Sequence, residues 1–372
     1  MSKAADLANR IGNINMGGGG VGRNLRINGA MNVAQRSTSV TGLGATAGYF
    51  GLDRWKTDFS STAGRLTLTQ DSSVPTGEGF FNSLKIACTT ADTSIAAGEQ
   101  FTIEQMIEAQ NCQVISKGTS GAKPLTLSFY CKANANATYV VELYAQDVDR
   151  RISSLFSVTT DWTRVTVTFP ADTTGEIADD NGGGIKVGWW LHAGSTYSGG
   201  TLQTTWAAAA NNTRATGGDS FFDSTDRTFF LTGCQLEVGQ NPTSFEHEPF
   251  DTTLVKCQRY FENVASYGGS GTPTQSYWQG ILTHQYTTSR MFGRFIYKVI
   301  KRATPTVTVH NHEFAFASAT DSRTLSNNPQ NTYADISGVG LDFQNQGTNY
   351  TGGESGHVDL AGTCYITSDA EL

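Results

Sequence analysis

The chain has 372 residues, enough for two or three domains of roughly 100–200 residues each. It holds 41 glycines and is only 16% charged, against a usual ~25%, which excludes a coiled coil, a helical enzyme and a disordered tail. A formal net charge of −7 argues against nucleic acid as the main partner, and no apolar run approaches the ~18–20 residues of a membrane helix.

Residues 1–16 form the one convincing helix. Ala4, Leu7, Ile11 and Ile14 recur at three- and four-residue spacing and make a narrow apolar stripe. Two heptads are marginal alone, so the stripe is expected to dock on a sister chain or another surface. Gly17–Gly20 reads as a flexible joint. It lacks the strand before and the Lys-Ser/Thr after that a phosphate loop needs.

From residue 24 the period becomes two. Residues 37–48 read as loop, and Trp55 and Phe59 flank a short strand. Leu66 and Leu68, Asn82–Thr89 and Phe101–Ile107 alternate. The clearest strands are Leu125–Lys132, Thr138–Ala145, Ile152–Val158, Thr163–Phe169, Ile185–Ala193 and Thr228–Val238. Strands at this spacing with no helices between them predict an antiparallel sandwich, and at this length a jelly roll. Pro242 and Pro249 bracket a connector. Residues 252–264 read as a short helix leading into a strand. A second β-rich region follows, with strands over Ser276–Thr288, Arg290–Lys298, Thr306–Val309, Ala334–Phe343 and Gly362–Ser368. Its turns Gly268–Gly271 and Gly352-Gly353 are placed at sandwich ends, where binding is easily accommodated. The expected fold is therefore all-β: a jelly-roll β-sandwich, then a second, smaller β-sandwich, with a short N-terminal helix.

The six cysteines stand singly, with no C-x-x-C, and read as buried small hydrophobes. The opening Met1–Asp6 lacks the basic and apolar regions of a secretory signal, so folding in a cytoplasm is expected.

Candidate chemistry is sparse. A polysaccharide-cleaving enzyme needs two carboxylates across a groove, one with a raised pKa. Glu104, Glu108, Asp147, Asp149, Asp179 and Asp180 are available. Glu104 and Glu108 share one strand face opposite Ile103 and Ile107, and read as a solvated face. Asp172, Glu176, Asp179 and Asp180 crowd a glycine-rich turn where calcium could sit, although the EF-hand spacing is missing. His310 and His312 share one strand face, a pair that three chains around an axis could turn into a metal site. His192, His247, His284 and His357 are isolated. Sugar binding draws on aromatic faces and amide hydrogen bonds. Trp189-Trp190 must place one ring inward and one outward, and the outward ring could stack on a sugar or fill a subunit interface. Tyr197, Trp206, Tyr277 and Trp278 pose the same choice.

In Asp53-Arg54-Trp55 the ring reads as core and its charged neighbours as an edge pair. In Gln235-Leu236-Glu237-Val238, Leu and Val read as one face and Gln and Glu as the other, a half-buried final strand.

Several phrases resemble those of bacteriophage tail-fibre and appendage proteins. Asn24-Leu25-Arg26-Ile27-Asn28-Gly29-Ala30-Met31-Asn32-Val33-Ala34-Gln35-Arg36 is similar to their opening, and Leu52-Asp53-Arg54-Trp55 follows it. Lys123–Phe129, Thr232–Gly239 with Thr243–His247, Lys256–Phe261 and Arg302–Val307 continue the series in order. The resemblance implies a jelly roll like that of carbohydrate-binding modules, a β-sandwich tip, and a homotrimer attached to a virion. On this reading residues 1–23 anchor and hinge the chain to another virion protein through Leu7, Ile11 and Ile14. Residues 24–248 form the jelly roll and 249–372 the tip. The expected function is non-enzymatic attachment to host-surface polysaccharide, with Trp189, Trp190, Tyr277 and Trp278 as binding candidates. No cofactor is expected beyond structural calcium. The alternatives are a head fibre or capsid decoration protein without a receptor role, and a polysaccharide depolymerase.

Overall fold

The computed structural model describes residues 3–15, 22–266, 281–287, 289–311, 314–317, 322–325, 329, 331–344, 355–360 and 364–372. They fall into two compact units, residues 1–253 and 254–371. Both are built from antiparallel sheets. No helix among the described residues is long and apolar enough to cross a membrane.

The first unit opens with helix α1 (Lys3–Asn15). Its strands are β1 (Ser39–Leu43), β2 (Lys56–Ser60), β3 (Arg65–Asp71), β4 (Ser83–Thr90), β5 (Gln100–Glu108) and β6 (Leu125–Ala133). They continue with β7 (Ala137–Ala145), β8 (Arg150–Val158), β9 (Thr163–Phe169), β10 (Gly183–Ala193), β11 (Ala207–Ala208) and β12 (Thr228–Val238). One sheet has the order β1-β3-β4-β12-β6-β9 and the other β11-β8-β7-β10-β5-β2. The inward residues of both, such as Ile86, Leu127, Phe129 and Leu231 from the first and Ile103, Tyr139, Val187 and Trp189 from the second, form one core. This is the expected jelly roll: period-two alternation supplies one apolar face per strand, and two such faces bury each other.

Three local readings change. Residues 37–48 contain strand β1, which pairs with β3 at the sheet edge. Its side chains are mostly exposed on both faces, so no alternation marks it. Asp53 and Arg54 are fully buried along with Trp55. Arg54 donates to the Met106 carbonyl at 2.6 Å, and Asp53 accepts the Gln35 amide at 2.8 Å. Gln235 and Glu237 are also fully buried. The segment after β12 turns back over them. Thr243 donates its amide and its hydroxyl to Glu237, both at 2.8 Å, and the Glu246 amide donates to Gln235 at 2.8 Å. The polar face of the strand is thus closed by its own following chain.

Leu7 and Ile11 on α1 are 59% and 52% exposed, while the side chain of Ile14 and residues Gly17–Gly20 lie outside the described residues. Asp6 accepts the Ser244 amide at 2.9 Å. All six cysteines are buried, and none of them forms a disulfide.

Helix α3 (Phe250–Gln258), preceded in the chain by the one-turn α2 (Ser195–Ser198), leads into strand β13 (Phe261–Ser266), as the sequence suggests. The second unit continues with β14 (Ile281–Thr287), β15 (Arg290–Ile296), β16 (Thr306–His310), β17 (Phe314–Ala317) and β18 (Ser322–Thr324). Its last strands are β19 (Asn331–Ala334), β20 (Gly338–Phe343), β21 (Ser355–Leu360) and β22 (Tyr365–Asp369). A three-stranded sheet, β13-β22-β16, accompanies a seven-stranded one, β18-β17-β21-β14-β15-β20-β19. Met291, Val339, Leu341, Phe343, Val358 and Ile366 share its core. Strands β17, β18, β19 and β21 are additions to the sequence reading, and the single strand read over Ala334–Phe343 is broken by a turn before β20. The added strands are short and pair only within the larger sheet.

Candidate functional site

Trp189 and Trp190, nominated from sequence, do not present a surface. Trp189 is fully buried, with ring centroids 5.6 Å from Trp55 and 5.4 Å from Phe129. Trp190 points to the opposite face, as alternation requires, yet is only 2% exposed. The chain between β10 and β12 folds over it. Arg214 lies 4.3 Å above its ring, Tyr197 packs at 5.3 Å, and Ala215 completes the cluster. Tyr197 is therefore part of the cover. Trp206 donates its indole N–H to the Pro170 carbonyl at 2.8 Å. Tyr277, Trp278 and His312 lie outside the described residues, as do the turns Gly268–Gly271 and Gly352-Gly353. His310 stacks on Tyr365 at 4.0 Å and hydrogen-bonds the Thr367 hydroxyl at 3.1 Å.

The acidic candidates are also redistributed. Asp172 sits between Lys117, at 2.9 Å, and Arg150, at 2.8 Å. These partners hold its carboxyl below the usual range against the effect of burial. Glu176, Asp179 and Asp180 are exposed. Among the described residues the four do not gather into a metal-ligating group. Glu104 and Glu108 are buried rather than solvated. Glu104 is flanked by Lys186 at 3.0 Å and Lys56 at 3.4 Å. Asp58, one strand away, has its pKa raised, first by burial and then by the charge of Glu104.

Among the described residues, an open aromatic surface lies in the second unit, on the outer face of the seven-stranded sheet. Cross-strand pairing sets it out. His284 on β14 faces Phe292 on β15, and the next outward row runs Arg294 (β15), Gly340 (β20), Tyr333 (β19). Residues two apart on a strand share a face, so Phe292 and Arg294 stand together. Gly340, between Arg294 and Tyr333, adds no side chain, and the row opens there. The result is a groove of about 460 Å³ with Phe292, Tyr333, His284 and Arg294 along it and Gly340 in its lining. Tyr333 is 60% exposed, and Tyr286, edge-on to Phe292 at 5.9 Å, is 64% exposed.

The two arginines beside the rings are held in place. Arg290 makes a two-pronged contact with buried Asp342 at 2.7 and 3.0 Å and lies 4.6 Å over the Phe292 ring. Arg294 donates to Asp335 at 2.7 Å and to the Ser337 hydroxyl at 2.8 Å. Hydrogen bonds from Ser337 and Arg294 hold Asp335 far below the ordinary carboxylate range. Such a groove has apolar ring faces, fixed donors and charges already neutralised. It suits a ligand with flat C–H faces and many hydroxyls better than a free anion. The sequence carried a signal for it: Phe292 and Arg294 alternate with Gly293 inside a segment already read as a strand.

No family model matches the chain, and no curated protein matches it. Among solved structures, a family 4 carbohydrate-binding module is 13% identical, with a TM-score of 0.30, covering 57% of this chain and 97% of that one. The enzymatically active domain of tailspike protein 4 from bacteriophage CBA120 is 10% identical, with a TM-score of 0.30, covering 58% of this chain and 21% of that one. A family 11 carbohydrate-binding module from Clostridium thermocellum is 10% identical, with a TM-score of 0.27, covering 55% of this chain and 100% of that one.

Proposed function

We propose that the chain is an attachment subunit of a phage appendage that binds host-surface polysaccharide through its second unit. The observation that supports this reading is the groove lined by Tyr333 and Phe292, with Gly340 open between Tyr333 and Arg294. A sugar ring presents C–H groups to an aromatic face while its hydroxyls reach neighbouring polar groups. Arg294, His284 and the strand ends around Ser355 supply those groups. One such shallow site is weak. Repetition in a homotrimer, and over several copies on a particle, would make the sum effective. In this reading residues 1–23 carry the attachment to another virion protein, with the exposed Leu7 and Ile11 on the docking face. The protein is made in the host cytoplasm and works on the virion without chemistry of its own.

The test is sedimentation of the full chain with host cells or their purified envelope polysaccharide. Wild type is expected in the pellet. Tyr333→Ala and Gly340→Val, the second filling the groove, should each lower binding at least tenfold while trimers persist. Equal pelleting of wild type and both variants would sink the receptor reading.

A depolymerase reading has one observation in its favour, the raised pKa of Asp58 beside Glu104. It requires release of oligosaccharide from the same polysaccharide, abolished by Asp58→Asn.

A further inference from the structure

His192 is isolated in sequence and surrounded in space. It lies near the end of β10, which pairs with β5 so that His192 stands opposite Phe101. Glu99 immediately precedes β5, and its carbonyl accepts the Gly194 amide at 2.8 Å. Asp92 lies earlier in the same connection, its amide donating to the Phe222 carbonyl at 2.8 Å. Two backbone segments thus bring one imidazole and two carboxylates together. One donor atom from each lies within 4.8 Å of the other two. His192, Glu99 and Asp92 are 1%, 5% and 6% exposed.

The outer atoms of the group are already engaged. His192 Nδ1 is 2.8 Å from the Ser220 hydroxyl, which also accepts the Phe222 amide at 3.1 Å. Asp92 Oδ2 accepts the Thr62 hydroxyl at 2.8 Å and the Ala63 amide at 2.7 Å. Supports of this kind fix the orientation of a metal-binding imidazole or carboxylate from behind. His192 Nε2 faces inward, 3.1 Å from Glu99 Oε2. That is close to the roughly 3.3 Å separating two ligands of one tetrahedral zinc ion.

Two buried carboxylates and one buried imidazole converge there, a donor set of two oxygens and one nitrogen. Imidazole beside carboxylates selects a first-row transition ion over calcium or magnesium.

We propose that Asp92, Glu99 and His192 bind one zinc-class divalent cation that ties the β4–β5 connection to the end of β10. The site is buried, its fourth position falls to a water, and it braces the fold independently of the groove in the second unit.

The experiment titrates chelator-stripped full-length protein with zinc by calorimetry, with cobalt as the spectroscopic probe. One zinc per chain is expected. At a hundredfold excess over Kd, the melting midpoint of the first unit should rise by about 5–10 °C. Calcium at the same concentration should do nothing. Glu99→Gln and His192→Gln should weaken binding at least 100-fold, and His310→Asn should leave it unchanged. Asp92→Asn, which keeps the acceptor for Thr62 and Ala63, guards against loss by misfolding and should weaken binding similarly. The proposal is overturned by absence of stoichiometric zinc in wild type, by undiminished binding in all three ligand variants, by calcium binding as tightly as zinc, or by a cobalt spectrum of thiolate type.

Discussion

The guanidinium of Arg214 lies 4.3 Å above the ring of Trp190 and grips Glu142 with two hydrogen bonds, at 2.8 and 3.0 Å. One side chain therefore does two things: it seals an aromatic ring under a loop and neutralises a buried acid on the adjacent strand. Arg214→Ala should destabilise the first unit by about 3 kcal/mol, because Glu142 is left buried and unpaired. Denaturant unfolding measures this, and the tryptophan emission of the folded variant should shift to the red. Arg214→Lys should fall between the two, since an ammonium cannot reproduce the planar fork. A folded variant with unchanged midpoint and unchanged emission would contradict this account.

Two glycines should respond in opposite ways. A Cβ on Gly340 would meet nothing nearer than 3.7 Å, whereas one on Gly29 would lie 2.1 Å from the Cys234 carbonyl oxygen. Gly340→Ala should raise stability by about 0.5 kcal/mol by limiting the unfolded chain. Gly29→Ala has to push two backbones apart and should lower stability by at least about 2 kcal/mol. Paired thermal melts check the contrast.

Lys301 is a buried cation in the second unit. Its Nζ is 2.5 Å from the Gln258 carbonyl and 2.5 Å from Glu262 Oε2, and both side chains are about 1% exposed or less. Lys301→Met should cost about 3–5 kcal/mol, because it leaves the buried Glu262 charge with only long contacts to Lys298, its amide at 3.3 Å and its exposed ammonium at 4.0 Å. The double variant with Glu262→Gln should recover at least half of that. Equal losses in the single and double variants would mean that packing, not charge, is responsible.

Asp58 gives a pH signature. Burial and the Glu104 carboxylate raise its pKa in the folded state, while Lys56, Lys186 and Arg214 oppose them. A raised carboxyl binds its proton more tightly folded than unfolded. Its ionisation thus weighs against the fold at neutral pH, and the penalty is relieved as pH falls through the raised value towards the ordinary one. Asp58→Asn should melt higher than wild type at pH 7, and the gap should close by about pH 3, below the ordinary carboxyl pKa. A gap independent of pH would show that the charge of Asp58 is not involved.

Much of the architecture was legible because strand alternation is local. Phe101, Ile103 and Ile107 declare an inward face within a few residues, and the same rule found β6 to β10 and β12. The outward face is another matter. Alternation required one ring of Trp189-Trp190 to face out; it is Trp190, and it is covered by a loop whose own sequence says nothing of where it lands. Glu237 faces away from the core and is buried by Thr243, six residues on. His192 meets Asp92 and Glu99 only because β10 pairs with β5, and Gly340 opens a groove only because Arg294 and Tyr333 flank it across two strand pairings. The periodicity of this chain decided which residues face the core, since that depends on neighbours one and two positions away. Which outward residues meet water, a loop or one another was decided by tertiary structure, because those contacts depend on strand order and on the return path of long connections.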